Sequence, residues 1–315
     1  MSSSLPRLRP RSQQVPLLCF GTLAVSPLQR SLTPDEGAAL LLYAADRGIT
    51  TLDTAQYYNN YPAISIALRK RPDLAVITKS YAWDRAGAME SIREARVGIG
   101  RRYIDAMLLH EQESEHTVRG HWDALTAYRE LKASGDLGAV GLSTHRIAGV
   151  KAAVRFGMDV VCAIINVDGL GLTDGSRLDM ERALMDAREA GLFVIGMKIL
   201  GGGHLIARRD EAVRYALGLD FLDAIAVGMA SEAEIDYNCA MFAGQTPDPE
   251  AARISSAAAR ELMIEEGCVG CGRCAARCGQ GAIVMEAGQA RAVPELCVRC
   301  GYCAAACPYV LIKVV

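Results

Sequence analysis

The sequence predicts an α/β fold in which a (β/α)8 TIM barrel is followed by a small α+β domain. Three observations support this prediction. The chain has 315 residues, and subtracting the roughly 250 residues of such a barrel leaves about 65 for a second unit. Short apolar runs alternate eight times with segments of helical periodicity. Eight of the 11 cysteines lie between Cys268 and Cys307, near the end of the chain.

The composition excludes several classes of protein. Hydrophobic residues make up 51% of the chain and charged residues 22%, which is typical of a globular protein with a sizeable core rather than a disordered one. The formal net charge of −2 disfavours a general electrostatic attraction to nucleic acid. No apolar run reaches the roughly 18 residues that a membrane-spanning helix needs. The apolar stretch before Cys19 is short and is interrupted by Pro16, so we expect no signal peptide and a cytoplasmic protein.

Eight short apolar runs are the expected barrel strands: Leu17–Gly21, Thr50–Asp53, Ala75–Thr78, Ile104–Leu109, Ala139–Ser143, Val160–Asn166, Phe193–Met197 and Ala224–Gly228. Helical patterns follow them, for example at Asp35–Arg47, Ala86–Val97, Gly120–Ala133, Ser176–Ala190 and Ser231–Phe242. The repeated strand–helix order predicts parallel strands that close into a barrel. The first helix has clear end signals, since Thr33 and Pro34 favour its start and Gly48 its end.

The chain is expected to divide into four parts. The turn-rich segment Gly244–Glu250 ends the barrel, and an alanine-rich helical stretch over about 251–264 bridges to the cysteines. The predicted parts are an N-terminal tail (1–14), the barrel (15–243), a linker with its helix (244–264) and the cysteine domain (265–315). This last domain contains an internal repeat, because residues 268–285 and 297–314 share one cysteine spacing and each end in a short apolar strand.

The cysteine repeat predicts two [4Fe–4S] clusters. Each half reads Cys-x2-Cys-x2-Cys-x3-Cys, and in such repeats the last cysteine of each half binds the cluster of the other half. The first cluster would be held by Cys268, Cys271, Cys274 and Cys307, and the second by Cys297, Cys300, Cys303 and Cys278. Zinc bound by paired Cys-x2-Cys motifs is the alternative, but the double repeat is more specific than such pairs. The segment resembles bacterial two-cluster ferredoxins, although Gly279 stands where a proline commonly follows the fourth cysteine.

Four polar residues lie where consecutive strands are expected to end, which is where TIM barrels place their active sites. Asp53 ends the second strand and Tyr58 follows it in the loop, while Lys79 and His110 end the third and fourth strands. A neighbouring lysine is expected to lower the pKa of a tyrosine, and an aspartate that holds the lysine completes a proton-transfer unit. The alternative is a buried ion pair beside a core histidine.

These four residues, in this order, resemble the catalytic tetrad of the aldo-keto reductase family, and the resemblance covers nearly all of residues 15–243. The whole chain resembles the branch of that family fused to a C-terminal ferredoxin domain. The resemblance implies an oxidoreductase that interconverts a carbonyl and an alcohol with NAD(P)H. Tyr58 would be the general acid, Lys79 would tune it, Asp53 would orient Lys79 and His110 would position the carbonyl. Tyr57 is a rival for Tyr58, one residue short of the family spacing.

The resemblance also implies a set of cofactor-binding residues. Ser143 and Thr144 after the fifth strand and Asn166 after the sixth would contact the carboxamide, although the family commonly has asparagine where Thr144 stands. Lys198 and the glycines Gly201 and Gly202 follow the seventh strand, where backbone NH groups could meet a pyrophosphate. A plain flexible loop is the alternative for these glycines.

The adenosine-phosphate segment would lie after the eighth strand. It comprises Gly228, Met229, Ser231, Glu234 and Asn238. The arginine or lysine that usually binds the 2′-phosphate of NADP is missing from this segment, so the choice between NAD and NADP stays open. The substrate pocket would be shaped by residues that follow the strand ends, namely Tyr81, Trp83, Gln112 and His145.

Two further interpretations remain open because hydride transfer moves two electrons at once and each cluster moves one. No flavin motif is visible to convert between the two. The protein could be an electron-transfer protein whose barrel docks a redox partner, or the clusters could be purely structural or oxygen-sensing. The intact tetrad favours an enzyme that acts on a small carbonyl or alcohol, with a redox partner protein as a further expectation.

Overall fold

The computed structural model describes residues 8, 15, 17–29, 32–257, 262–297, 302–309 and 311–314. Eight parallel strands in these residues form a closed barrel, in which each strand pairs with the next and the eighth pairs with the first. They are β1 (Leu18–Gly21), β2 (Thr51–Asp53), β3 (Ala75–Ser80), β4 (Ile104–Leu109), β5 (Leu137–Thr144), β6 (Val160–Ile164), β7 (Phe193–Met197) and β8 (Ala224–Gly228). The predicted TIM barrel is confirmed.

One strand ends earlier than the apolar pattern indicates. The pattern extends the sixth strand to Asn166, but β6 ends at Ile164, opposite Met197 of β7. The Asn166 side chain explains the difference, because its Oδ1 accepts the backbone NH of Leu170 at 2.8 Å and its Nδ2 donates to the Leu170 carbonyl at 2.9 Å. An asparagine that bonds to the backbone in this way favours a turn over a strand.

Helices surround the barrel: α1 (Pro34–Asp46), α2 (Tyr61–Lys70), α3 (Arg85–Ile99), α4 (Glu115–Gly120), α5 (Trp122–Ala133), α6 (Ile147–Arg155), α7 (Arg177–Glu189), α8 (Arg209–Leu217), α9 (Glu232–Phe242) and α10 (Pro249–Ala257). The first begins as predicted, because Thr33 and Glu36 form a reciprocal capping box with Pro34 at the first helical position. The continuous helix predicted over Gly120–Ala133 is wrong at its start, since α4 and α5 meet at His121, whose backbone is not helical.

The strands present side chains to two apolar layers. Outward-facing residues pack under the helices, and inward-facing residues such as Ile77 and Phe193 fill the barrel. Leu8 joins this inner cluster and is fully buried, and its carbonyl accepts the Thr51 hydroxyl at 3.2 Å at the start of β2. The segment predicted as a tail therefore packs, at Leu8, against the end of the barrel opposite the candidate site.

Within its described residues, the cysteine domain contains two small antiparallel ribbons and two short helices. β10 (Ile283–Glu286) pairs with β11 (Gln289–Ala292), β9 (Leu262–Ile264) pairs with β12 (Ile312–Val314), and the helices are α11 (Arg273–Arg277) and α12 (Tyr302–Ala306). The strands predicted at the two repeat ends are confirmed as β10 and β12. The helix predicted over about 251–264 is wrong at its end, because Leu262–Ile264 pair with β12 and pack against the core of this domain. No helix in the described ranges is long and apolar enough to span a bilayer.

Substitution of a glycine in β5 tests how closely the barrel strands pack. A Cβ at Gly141 would lie 2.1 Å from the Val160 carbonyl oxygen, whereas a Cβ at Gly120 would meet nothing within 4 Å. We expect Gly141→Ala to lower the free energy of unfolding by about 3 kcal/mol, which lowers the melting temperature by roughly 6 °C or more. Gly120→Ala is the matched control and should change stability by less than about 0.5 kcal/mol. Equal melting temperatures for both variants, measured by circular dichroism, would contradict this packing.

Candidate functional site

The base of the candidate site is a buried ion pair between neighbouring strands. Asp53 ends β2 and lies opposite Ile77 of β3, so Lys79, two residues further on, faces the same side of the sheet. The Lys79 ammonium donates to Asp53 Oδ1 at 2.7 Å, to Asp53 Oδ2 at 2.8 Å and to the Thr54 carbonyl at 2.9 Å. Burial favours the neutral amine, but Asp53 raises the pKa of Lys79 above its ordinary value, so the lysine is charged.

Tyr58 lies above this ion pair. It ends a single turn of 3-10 helix at Gln56–Tyr58 and lines the same cavity as Asp53. Its ring centroid is 5.5 Å from Lys79 Nζ. Burial raises the pKa of the Tyr58 hydroxyl and the Lys79 charge offsets this only in part. Lys79 therefore lowers the tyrosine pKa as expected, but burial outweighs its effect, so the pKa of Tyr58 lies above its ordinary value and the hydroxyl keeps its proton at neutral pH.

His110 completes the group of four residues that the sequence singles out. Its ring lies 6.0 Å from that of Tyr58 and stacks on Tyr81 at 4.5 Å, measured between centroids. Burial and the positive charges of Lys79 and Lys198 hold the pKa of His110 well below its ordinary value, so the imidazole is neutral. Its buried Nδ1 has no hydrogen-bond partner among the described residues. A buried polar atom without a partner indicates a place that a ligand or a water molecule fills.

The four expected substrate-pocket residues lie in different surroundings. Tyr81 donates to Glu111 Oε2 at 2.5 Å, and His145 Nδ1 is 3.8 Å from the other oxygen of Glu111. Gln112 is buried and donates to the His110 carbonyl at 3.1 Å, so it supports the histidine from behind. Trp83 is 66% exposed and lines a separate surface groove, away from the cavity that contains Tyr58.

The main cavity extends from Tyr58 across the C-terminal ends of β7, β8 and β1, and it encloses about 1270 Å³ with open solvent included. The residues of the expected cofactor set that line it are Lys198, Gly202, Gly228, Glu234 and Asn238. The structure thus brings residues of the expected pyrophosphate and adenosine-phosphate segments into one cavity with Asp53 and Tyr58, whereas the residues expected at the carboxamide lie outside it.

Other residues of the expected cofactor set do not line this cavity. Ser143 Oγ accepts the backbone NH of Glu111 at 2.9 Å, and Thr144 Oγ1 accepts that of Arg146 at 3.0 Å. Ser231 caps α9 by accepting the NH of Glu234. Three further residues of the set also lie outside the cavity. The Asn166 amide bonds to Leu170, and Met229 is buried in the outer core. Gly201 lies next to Leu170 and Leu205.

Sequence reasoning missed two cations in the cavity. Arg209, at the start of α8, lies 3.7 Å above the Tyr237 ring and donates to Ser255 Oγ at 2.5 Å and to the Ala252 carbonyl at 2.8 Å. Lys313 reaches the cavity from β12 of the cysteine domain. Neither residue lies in a motif next to the site. Packing between distant segments brings both into the cavity, so no local sequence pattern could have identified them.

The cysteines group across the two halves of the repeat. Cys268, Cys271, Cys274 and Cys307 line one small cavity with Ile264 and Ile312. The Cys268 sulfur also accepts the backbone NH of Ala290 at 3.4 Å. This grouping joins three thiols of the first half to the last thiol of the second half, which is the combination expected for one cluster.

The second set is visible in part. Burial raises the pKa of the Cys303 thiol to about 11, and Cys297 and Cys278 are close enough to contribute to that shift. Cys300 lies outside the described residues. Cys278 accepts the backbone NH of Ala282 at 3.3 Å. The described members therefore again combine thiols from both halves.

The buried ion pair gives a testable stability effect. Lys79→Met leaves Asp53 as a buried carboxylate without its partner, which should lower the free energy of unfolding by about 3–5 kcal/mol. The double variant Asp53→Leu, Lys79→Met removes both charges and should recover much of that loss. Urea unfolding of the single and double variants measures the coupling. A double variant destabilised by the sum of the two single effects would show that the two charges act independently.

The comparisons with known proteins agree with this architecture. A curated D-threo-aldose 1-dehydrogenase from a Pseudomonas species is 26% identical over 190 residues, which cover 49% of this chain and 58% of that protein. The chain thus matches somewhat more than half of this relative.

Solved structures show the same barrel fold. A Pseudomonas aeruginosa protein assigned to the aldo-keto reductases matches with a TM-score of 0.62 at 20% identity, over 73% of this chain and 91% of its own. The holo form of the aldo-keto reductase AKR11C1 from Bacillus halodurans has a TM-score of 0.60 at 18% identity, over 77% and 91% of the two chains. The Bombyx mori aldo-keto reductase AKR2E4, solved with NADP, has a TM-score of 0.56 at 15% identity, over 77% and 88%. At these identities the likeness shows the fold alone.

Two family models match this sequence. The model of the 4Fe-4S dicluster domain matches residues 262–308, and the model of the aldo/keto reductase family matches residues 17–212, more than half of the chain. This chain therefore belongs to the aldo/keto reductase family and carries a C-terminal 4Fe-4S dicluster domain.

Proposed function

We propose that this protein is a nicotinamide-dependent oxidoreductase that interconverts a carbonyl and an alcohol, with Tyr58 as the proton donor. The observation that carries the proposal is the position of Tyr58, which keeps its proton, lines the main cavity and lies next to the charged Lys79. Membership of the aldo/keto reductase family supports it. The activity of the Pseudomonas relative makes the C1 position of aldoses the first substrate class to test.

The main cavity fits a nicotinamide dinucleotide. Its lining combines Lys198 and the glycines Gly202 and Gly203 with Glu234 and Asn238 of α9. The bound nicotinamide would supply or accept the hydride. Arg209 is the cation at the α9 end of the cavity, and it offers the positive charge that the segment after β8 lacks. This leaves both NAD and NADP as candidates, and the relative affinities for NADH and NADPH distinguish them.

The chain's own residues would handle the proton. Tyr58 would donate its hydroxyl proton to the carbonyl oxygen as the hydride arrives, and it would take that proton back in the reverse direction. The Lys79 charge would stabilise the tyrosinate during transfer, and Asp53 would hold Lys79 in place through two hydrogen bonds. The neutral His110 would donate a hydrogen bond to the same oxygen and orient it.

We further propose that the cysteine domain holds two [4Fe–4S] clusters. Four thiols around one cavity fit such a cluster, and the match of residues 262–308 to the 4Fe-4S dicluster domain supports it. Bound clusters would supply one-electron transfer. Backbone NH groups of Ala290 and Ala282 would stabilise thiolate charge on Cys268 and Cys278.

An exposed rim at the first cysteine group favours exchange of electrons with a partner protein. Cys271 is exposed, Val269 is 61% exposed and Tyr309 is 47% exposed, and all three line the cavity of this group. A redox partner could approach the cluster at this rim. If the clusters are only structural or sensing, blocking this rim should have no effect on electron transfer to a partner protein.

Substitutions at two adjacent tyrosines test the proposed chemistry. Tyr58→Phe removes the proton donor and should lower kcat/KM at least about 100-fold, while the dissociation constant for NADH or NADPH stays within a few-fold of that of the unmodified protein. Tyr57→Phe is the matched control, since Tyr57 is exposed and does not line the main cavity. Aldehyde reduction followed at 340 nm measures both variants. Full activity in Tyr58→Phe, or its loss in Tyr57→Phe alone, would contradict the assignment.

The crossed ligand sets are tested by iron content. The intact protein should hold about 8 iron atoms, four per cluster. Cys268→Ala combined with Cys307→Ala should remove one cluster and leave about 4 iron atoms, because both thiols belong to the same set. Cys297→Ala combined with Cys307→Ala should remove both clusters, and Cys239→Ala is the control that keeps both. The opposite result for the two double variants would show that each half of the repeat binds its own cluster.

A further inference from the structure

The last strand of the dicluster domain reaches into the barrel's main cavity. Lys313 lies on β12, is 7% exposed, and lines the cavity together with Tyr58 and Lys198. A hydrogen bond of 3.3 Å between His204 Nε2 and the Ile312 carbonyl attaches β12 to the loop after β7. A Cβ at Gly202 would lie 3.6 Å from Lys313 Cγ, so the lysine stem packs directly on the glycine turn.

The cavity around Lys313 has an excess of positive charge that is not fully paired. Lys313 forms an ion pair with Glu265. The Lys198 side chain makes no ion pair or hydrogen bond within the described ranges, and burial together with the Lys313 charge lowers its pKa to about 7. Glu265 and Glu111 act in the opposite direction and only partly compensate. An anionic group placed between the two lysines would relieve their mutual repulsion.

The position of the two lysines indicates which anion they bind. The wall of the cavity continues from Lys198 through Gly202 and Gly203 to Arg209, which stacks on Tyr237 of α9. The two lysines therefore share one cavity with Tyr58 and with residues of α9. In a dinucleotide the diphosphate joins the two nucleosides, so a diphosphate bound at the glycine turn would lie beside Lys313, whose stem packs on Gly202.

We propose that Lys313, together with Lys198, binds the diphosphate of the nicotinamide dinucleotide, so that the dicluster domain supplies part of the barrel's cofactor site. This inference rests on the proposed function, since it requires a dinucleotide in the main cavity. The Lys313 ammonium has three donors, so it can bind a phosphate oxygen while it keeps Glu265 as its ion-pair partner. The loop amides of the glycine turn would donate to the same diphosphate.

Two substitutions test the proposal, one that removes a positive charge from the cavity and one that removes a negative charge. Lys313→Met removes a positive charge from the cavity and should weaken NADH binding about tenfold. Glu265→Gln removes the competing carboxylate and should leave the affinity equal or higher. Lys313→Arg should retain most of the affinity, and Lys151→Met on the exposed face of α6 controls for the change in total charge. The measurement is a fluorescence titration of NADH into anaerobically purified full-length protein, with iron content determined for each variant.

A purely structural role for the Lys313–Glu265 pair predicts a different pattern. If the pair only holds the β9–β12 ribbon in place, Lys313→Met and Glu265→Gln weaken NADH binding alike, and the proposal is overturned. Inorganic pyrophosphate should displace NADH from the unmodified protein and should do so less well from Lys313→Met. Unchanged NADH and pyrophosphate binding in Lys313→Met overturns this inference alone, whereas absence of NADH and NADPH binding to the unmodified protein overturns the proposed function together with it.

Discussion

The buried ion pair between Lys79 and Asp53 is the constraint on which the candidate site depends. Two charges removed from water destabilise a fold unless each finds a close partner, and here the ammonium has three acceptors at 2.7–2.9 Å. The pairing requires β2 and β3 to lie in the observed register, so barrel closure and site geometry are linked. The fixed positive charge of Lys79 beneath Tyr58 stabilises the tyrosinate that forms when the proton leaves. Burial keeps the Tyr58 hydroxyl protonated before the reaction.

The features that sequence reasoning identified have local signals. Strand ends, the spacing of Asp53 and Tyr58, and the cysteine repeat can each be recognised within a few consecutive residues, and the barrel and the strands at the two repeat ends follow from them. The features it missed depend on packing between distant segments. Burial decides the pKa of Tyr58, α10 holds Arg209, and the pairing with β12 turns Leu262–Ile264 into a strand although the local pattern favours a helix. Such long-range effects override local propensity.

The strand β12 connects the two proposed binding sites. Ile312 lines the cavity of the first cysteine group, and Lys313, the next residue, lines the main cavity of the barrel. Successive side chains of a strand point to opposite faces, so one short strand separates the proposed cluster from the proposed nucleotide site. A nucleotide that contacts Lys313 and a cluster that contacts Ile312 would therefore each stabilise the same ribbon, which gives the dicluster domain a role in cofactor binding apart from electron transfer.

In the proposed reaction the barrel transfers a hydride directly and Tyr58 supplies the proton. Reduction of a panel of aldehydes with NADH that carries deuterium at the transferable C4 position is the decisive measurement. Direct transfer predicts that the deuterium appears on the former carbonyl carbon of the alcohol product, with the hydroxyl proton taken from solvent. Turnover that yields an alcohol without deuterium at that carbon would contradict it, because the electrons would then have reached the substrate separately from the hydrogen.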